Sequence, residues 1–123
     1  MLQLNTKAKN IEVTNKHEAF KGTDFADAEF KVTMKTISST DRFNALEDNT
    51  SIKGDKEVLD IMGLNTKLLQ TTVVSWEGIG SEGKELKCTK DNIKKVFEFS
   101  SEFSQSLLSA YNTEANKEDK KKV

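Results

Sequence analysis

Cys88 and His17 are the only cysteine and the only histidine in the 123-residue sequence, so any thiol nucleophile paired with a histidine base must use them. Such a pair works when the base reaches the sulfur and a third group orients the base. Cys88 lies between Lys87 and Thr89, and a neighbouring cation lowers a thiol pKa. No local residue pattern directs His17 to it, so Cys88 reads as a small, half-buried apolar residue. A zinc centre takes about four Cys, His or carboxylate ligands, and one cysteine with one histidine leaves almost nothing to build it. No metal and no cofactor is expected. The glycine-rich "GIGSEG" at 78–83 lacks the phosphate-loop order, because Gly83 is followed by Lys84 and then Glu85. No helix starts directly after it, so no helix dipole faces a phosphate. It reads as a tight surface turn. The carboxylates of Asp24 and Asp27, Glu47 and Asp48, and Glu118 and Asp119 do not alternate as a calcium loop requires. No residue is assigned a catalytic role, and the chain reads as a protein that is not an enzyme.

A chain of this length forms one domain with a core of its own. Its 19 basic and 20 acidic residues leave a net charge of −1. Nucleic-acid binders draw their affinity from a basic excess, so no nucleic-acid partner is expected. The single cysteine rules out an internal disulfide, and there is no proline, so Gly, Asn, Asp and Ser must make the turns. The N-terminus lacks the apolar run of a signal peptide. The longest apolar stretch, 64–76, is broken by Asn65, Lys67 and Gln70, well short of the ~20 residues of a membrane span. The expectation is a soluble cytoplasmic protein with no membrane partner.

These residues need positioning elements. Residues 1–25 are weakly patterned, with short alternating runs at "LQLNT" and "NIEVTNK" as candidate edge strands. "FKGTDFADAEF" reads as a connector anchored by Phe20 and Phe25. "EFKVTMKTIS" sets Phe30, Val32 and Met34 on one face, the pattern of a half-exposed antiparallel strand. A helix start follows, with Ser39 or Thr40 as cap and Phe43 and Leu46 on one face. From Asp55 the apolar spacing turns helical and predicts a helix to about residue 74. Gly63 is either inside it or at its end, and "TTVVSW" is open to a strand reading. Thr89 caps "KDNIKKVFEF", and "SEFSQSLLSAY" continues with Phe103, Leu107 and Tyr111 at helical spacing. The fold class is α+β: a small N-terminal antiparallel sheet packed against a mainly helical C-terminal half. Residues 1–112 form the domain, and 113–123 a charged, disordered tail.

The segment "SWEGIGSEGKELKCTKDNIKKVF" holds the only tryptophan, and reads as a structural corner. Trp76 and Ile79 close the core, Gly78 and Gly83 make the turn, and Thr89 opens the next helix.

The element order resembles that of the small tail assembly chaperones and allied minor tail proteins of siphophages and prophages. The resemblance covers about residues 28–112, through "FKVTMKTISSTDRFNAL", "VVSWEGIG", "SEGKELKCT" and "DNIKKVFEF". Lys87-Cys88 stands where that family has a proline before the cap. The resemblance implies a non-enzymatic protein that binds the tape measure protein, keeps its long apolar helix in solution and recruits tail tube subunits. It implies a partner surface of Leu64, Leu68, Val73, Phe99 and Phe103, and self-association into a homo-oligomer is compatible with it. The alternatives are a structural phage component (tail terminator, connector or baseplate protein) and a small inhibitor or immunity-type binding module.

Overall fold

The computed structural model describes residues 1–4 and 6–120, with side chains described through residue 117. Three antiparallel strands form the main sheet: β1 (Asn10–Thr14), β2 (Lys31–Lys35) and β5 (Val73–Glu77), in the order β1-β2-β5. Four helices accompany it: α1 (Ser39–Asp48), α2 (Ile61–Thr72), α3 (Lys90–Phe99) and α4 (Ser101–Lys120). Two hairpins complete the fold, β3 (Thr50–Lys53) with β4 (Lys56–Leu59), and β6 (Gly80–Ser81) with β7 (Lys84–Glu85). The class is α+β as the sequence predicts, with the third sheet strand supplied by the C-terminal half.

One sheet face buries Ile11, Val13, Val32, Met34, Val73 and Trp76 under the helices. The other face is polar. There Lys31 Nζ lies 3.9 Å from both Glu12 and Glu77, a charge ladder across all three strands. Opposite-charge cross-strand pairs of this kind are each worth a few tenths of a kcal/mol, up to about 1 kcal/mol. Phe103 of α4 is the hub of the core. Its ring centroid lies 5.7 Å from Phe20, 5.1 Å from Phe25, 5.4 Å from Phe30 and 5.7 Å from Phe97. The connector after β1 is thus held by Phe20, wholly buried at the end of a single 3-10 turn, Glu18–Phe20.

Several sequence expectations give way to tertiary forces. The helix predicted across 55–74 is three elements. Gly54, at φ +65°, and Asp55 turn the chain between β3 and β4. Asp60 then caps α2, its Oδ1 accepting from the Gly63 N–H at 3.0 Å. The helix carries Gly63 and ends at Thr72, and β5 follows directly. From Val73 the structure takes the strand alternative left open for "TTVVSW", and the pull toward a helix there has a physical cause. A register shift in the β2–β5 ladder between Thr33 and Met34 lets Val73 and Trp76 both face inward. Their spacing of three mimics a helical stripe, whereas a regular strand alternates by two. Ser38, not Ser39 or Thr40, caps α1, accepting from the Asp41 N–H at 3.1 Å. Leu2 and Leu4 lie outside any strand and are exposed.

The tail expected to be disordered from 113 continues α4 to Lys120, and 121–123 lie outside the described residues. Ala115 packs on the core there. Glu114 bonds Lys117 one turn on at 3.2 Å and reaches His17 at 3.4 Å, so the helix is tied to the β1 connector. Among the described residues no helix is long and apolar enough to cross a membrane.

Candidate functional site

The corner at 76–89 is built from its glycines outward. Gly78 has φ +77°, and its missing Cβ leaves room for the Glu29 backbone carbonyl. Glu82 and Gly83, both at positive φ, turn β6 into β7. Trp76 Nε1 donates to the Leu86 carbonyl at 2.7 Å, and the Leu86 N–H donates to the Ile79 carbonyl at 2.9 Å. Thr89 caps α3 by accepting from the Asn92 N–H at 3.2 Å. Trp76 and Ile79 are buried. These contacts assemble a wall of the core and offer no reacting group.

Cys88 is half-buried against the core, and burial pushes its thiol above the ordinary value. That is the reverse of nucleophile activation. His17 is engaged elsewhere. Its Nδ1 accepts from the Ala19 N–H at 3.0 Å, which places the proton on Nε2, 3.4 Å from Glu114 Oε2. Among the described residues, no three His, Cys, Asp or Glu side chains gather as metal ligands. Every buried side-chain nitrogen or oxygen among them has a hydrogen-bond partner.

A cleft of about 490 Å³ lies where α1, α2 and α4 meet, lined by Ile37, Arg42, Asn65, Leu68, Leu108 and Tyr111 among others. Three of its lining residues are engaged in structural contacts. The Tyr111 hydroxyl accepts from the Ile37 N–H at 3.2 Å, and the Arg42 guanidinium sits 5.7 Å above the Tyr111 ring. The lining side chains are amides, hydroxyls, apolar groups and one cation, with no carboxylate or imidazole to act as a base.

The five residues expected to form a partner surface do not make one exposed face. Val73 and Phe103 belong to the core. Leu64 and Leu68 are half-buried on α2. Phe99 alone projects, 91% exposed at the end of α3. Phe43 and Leu46, which share one face of α1, are both exposed, and Ala45 is the buried residue of α1.

The exposed apolar surface is concentrated elsewhere. Of twelve large apolar side chains left exposed among the described residues, seven fall within 43–62. They are Phe43 and Leu46 on α1, Ile52, Val58 and Leu59 on the β3–β4 hairpin, and Ile61 and Met62 opening α2. Phe43 is 56%, Ile52 75% and Ile61 61% exposed. Among the described residues the hairpin strands pair with each other and with no third strand, and no residue of 51–59 is even half-buried. Its root is firm. The Asp60 N–H donates to the Asn49 carbonyl at 2.8 Å, and Asn49 Nδ2 and Thr50 Oγ1 each bond the last turn of α1 at 2.8 Å. The result is a fixed arm that leaves seven large apolar side chains open to solvent. Sequence reasoning missed it because residues from Asp55 onward were taken as helix, which left no second strand for the hairpin. The signal was Gly54-Asp55 between two short β-compatible runs.

Comparison of the chain with protein-family models, with curated proteins and with solved structures gave no match in any of the three.

Proposed function

We propose that the protein is a non-enzymatic binding module that shields an apolar helical segment of a partner, acting in the host cytoplasm as a phage tail assembly chaperone for the tape measure protein. The observation that supports this is the arm at 43–62. Seven large apolar side chains there are presented to solvent on a hydrogen-bonded frame. An isolated monomer gains nothing from such a surface and risks aggregation by it, and large bare apolar patches mark partner sites. A helix laid across α1, the hairpin and the start of α2 would bury its own stripe against them. The sequence resemblance to tail assembly chaperones suggests the partner class. In the test, a long apolar tape measure segment is co-expressed with the protein or with its Phe43→Ser, Ile52→Ser variant. The wild type raises the soluble yield of the segment and the variant does not. Equal yields with and without the wild type would overturn the reading.

A further inference from the structure

We infer that the arm at 43–62 selects an amphipathic helix whose apolar stripe is flanked by lysine or arginine, and rejects the same stripe flanked by carboxylates. This rests on the reading of the arm as a docking surface, and adds the charge of what docks. Residues 43–62 carry five carboxylates against two cations, a net −3, while the whole chain is only −1. The arm is therefore acidic on a chain whose remainder is net +2. The hairpin register sorts these charges by face. Ile52 pairs with Glu57 and Thr50 with Leu59, while Ser51 pairs with Val58 and Lys53 with Lys56. Paired residues share a face of a two-stranded ribbon. The face that shows Ile52 and Leu59 therefore carries Glu57 and no cation, and both lysines lie on the other. On α1, Glu47 follows Phe43 by one helical turn, beside the exposed ring. Glu47 and Glu57 have no ion-pair partner among the described residues, so their charge is free to act outward. A basic flank would meet Glu57 where its apolar stripe covers Ile52 and Leu59, and Glu47 where a stripe covers Phe43. Complementary rims of this kind set partner choice and encounter rate more than total affinity.

The test uses the full chain and two labelled synthetic amphipathic helices of about 20 residues, long enough to hold helical structure. Both share one leucine stripe, one with lysine flanks and one with glutamate flanks. Fluorescence anisotropy should show the lysine peptide binding at least about tenfold tighter, with the preference shrinking as salt rises from about 50 to about 500 mM. Glu47→Lys with Glu57→Lys should reverse the preference. Both sites are exposed, and an unchanged melting curve confirms that the variant is folded. Ile52→Ser should weaken both peptides. Equal binding of the two peptides, a preference untouched by the reversal, or binding insensitive to Ile52→Ser would each overturn the inference. So would absence of binding by either peptide, including the case where sedimentation shows a second copy covering the arm. Failure of the charge preference while the tape measure segment is still kept soluble removes this inference alone. The reverse outcome removes the chaperone reading alone.

Discussion

The indole Nε1 of Trp76 donates a 2.7 Å hydrogen bond to the carbonyl of Leu86, ten residues later. The Leu86 N–H returns a bond to Ile79, so both backbone polar groups of Leu86 are satisfied by the strand end it packs against. Trp76→Ala should cost roughly 3–5 kcal/mol by opening a cavity. Trp76→Phe keeps most of the packing and strips the Leu86 carbonyl of its donor, at about 1–3 kcal/mol. Urea unfolding of the two variants beside wild type checks the order. A Trp76→Ala protein as stable as wild type would place the indole outside the core.

The glycines of the corner separate by surroundings. A Cβ on Gly78 would meet the Glu29 carbonyl, in addition to the positive φ. A Cβ on Gly83 meets nothing within 4 Å. Gly83→Ala should therefore cost about 1–2 kcal/mol, the backbone penalty alone. Gly78→Ala should cost clearly more, because the β2 entry must move as well. Thermal melts of the pair test this, and equal shifts would contradict the close approach.

Burial tends to raise the pKa of Glu114, but hydrogen bonds from Lys117 and His17 outweigh it and hold the carboxyl below its ordinary value. A carboxyl with a lowered folded-state pKa stabilises the fold fully above its unfolded value. That contribution is lost as pH falls through the folded one. Stability should therefore decline on the acid side of the ordinary glutamate range, and Glu114→Gln should flatten that limb. Screening at this partly exposed site keeps the effect within about 1 kcal/mol. Denaturation midpoints across the acid range give the readout.

Cys88 should be a slow thiol. With its pKa raised by burial, the native protein should react with a thiol reagent at neutral pH roughly tenfold or more slowly than the unfolded chain. Comparable rates would show the sulfur to be open to solvent.

Much of the core was legible because it obeys a simple period. Phe30, Val32 and Met34 alternate, and Ile93 and Phe97 recur one turn apart, so β2 and α3 follow from spacing. Thr89 was readable as a cap because a hydroxyl before a helix has one good use. Two places were not fully legible. At Val73 and Trp76 a bulge imitates helical spacing, so helix and strand both stay open until the pairing with β2 decides for the strand. At 50–59 the apolar residues serve neither a strand nor a helix buried in this chain. Patterning rules that assume an internal core then assign them to the wrong element. Phe103 stands at helical spacing with Leu107 and Tyr111, and its place in the expected partner surface fails because four phenylalanine rings from distant segments converge on it.

The arm at 43–62 is the centre of the account, and its most direct test separates binding from folding. Ile52 is 75% exposed on a hairpin that, among the described residues, pairs with no third strand. Ile52→Ser should therefore leave stability within about 0.5 kcal/mol of wild type. Measured by isothermal titration against a soluble tape measure fragment, the same variant should lose affinity by about tenfold or more, as expected for an apolar anchor. An Ile52→Ser protein that melts like wild type and binds the fragment with unchanged affinity would contradict the claim that this arm is the docking surface.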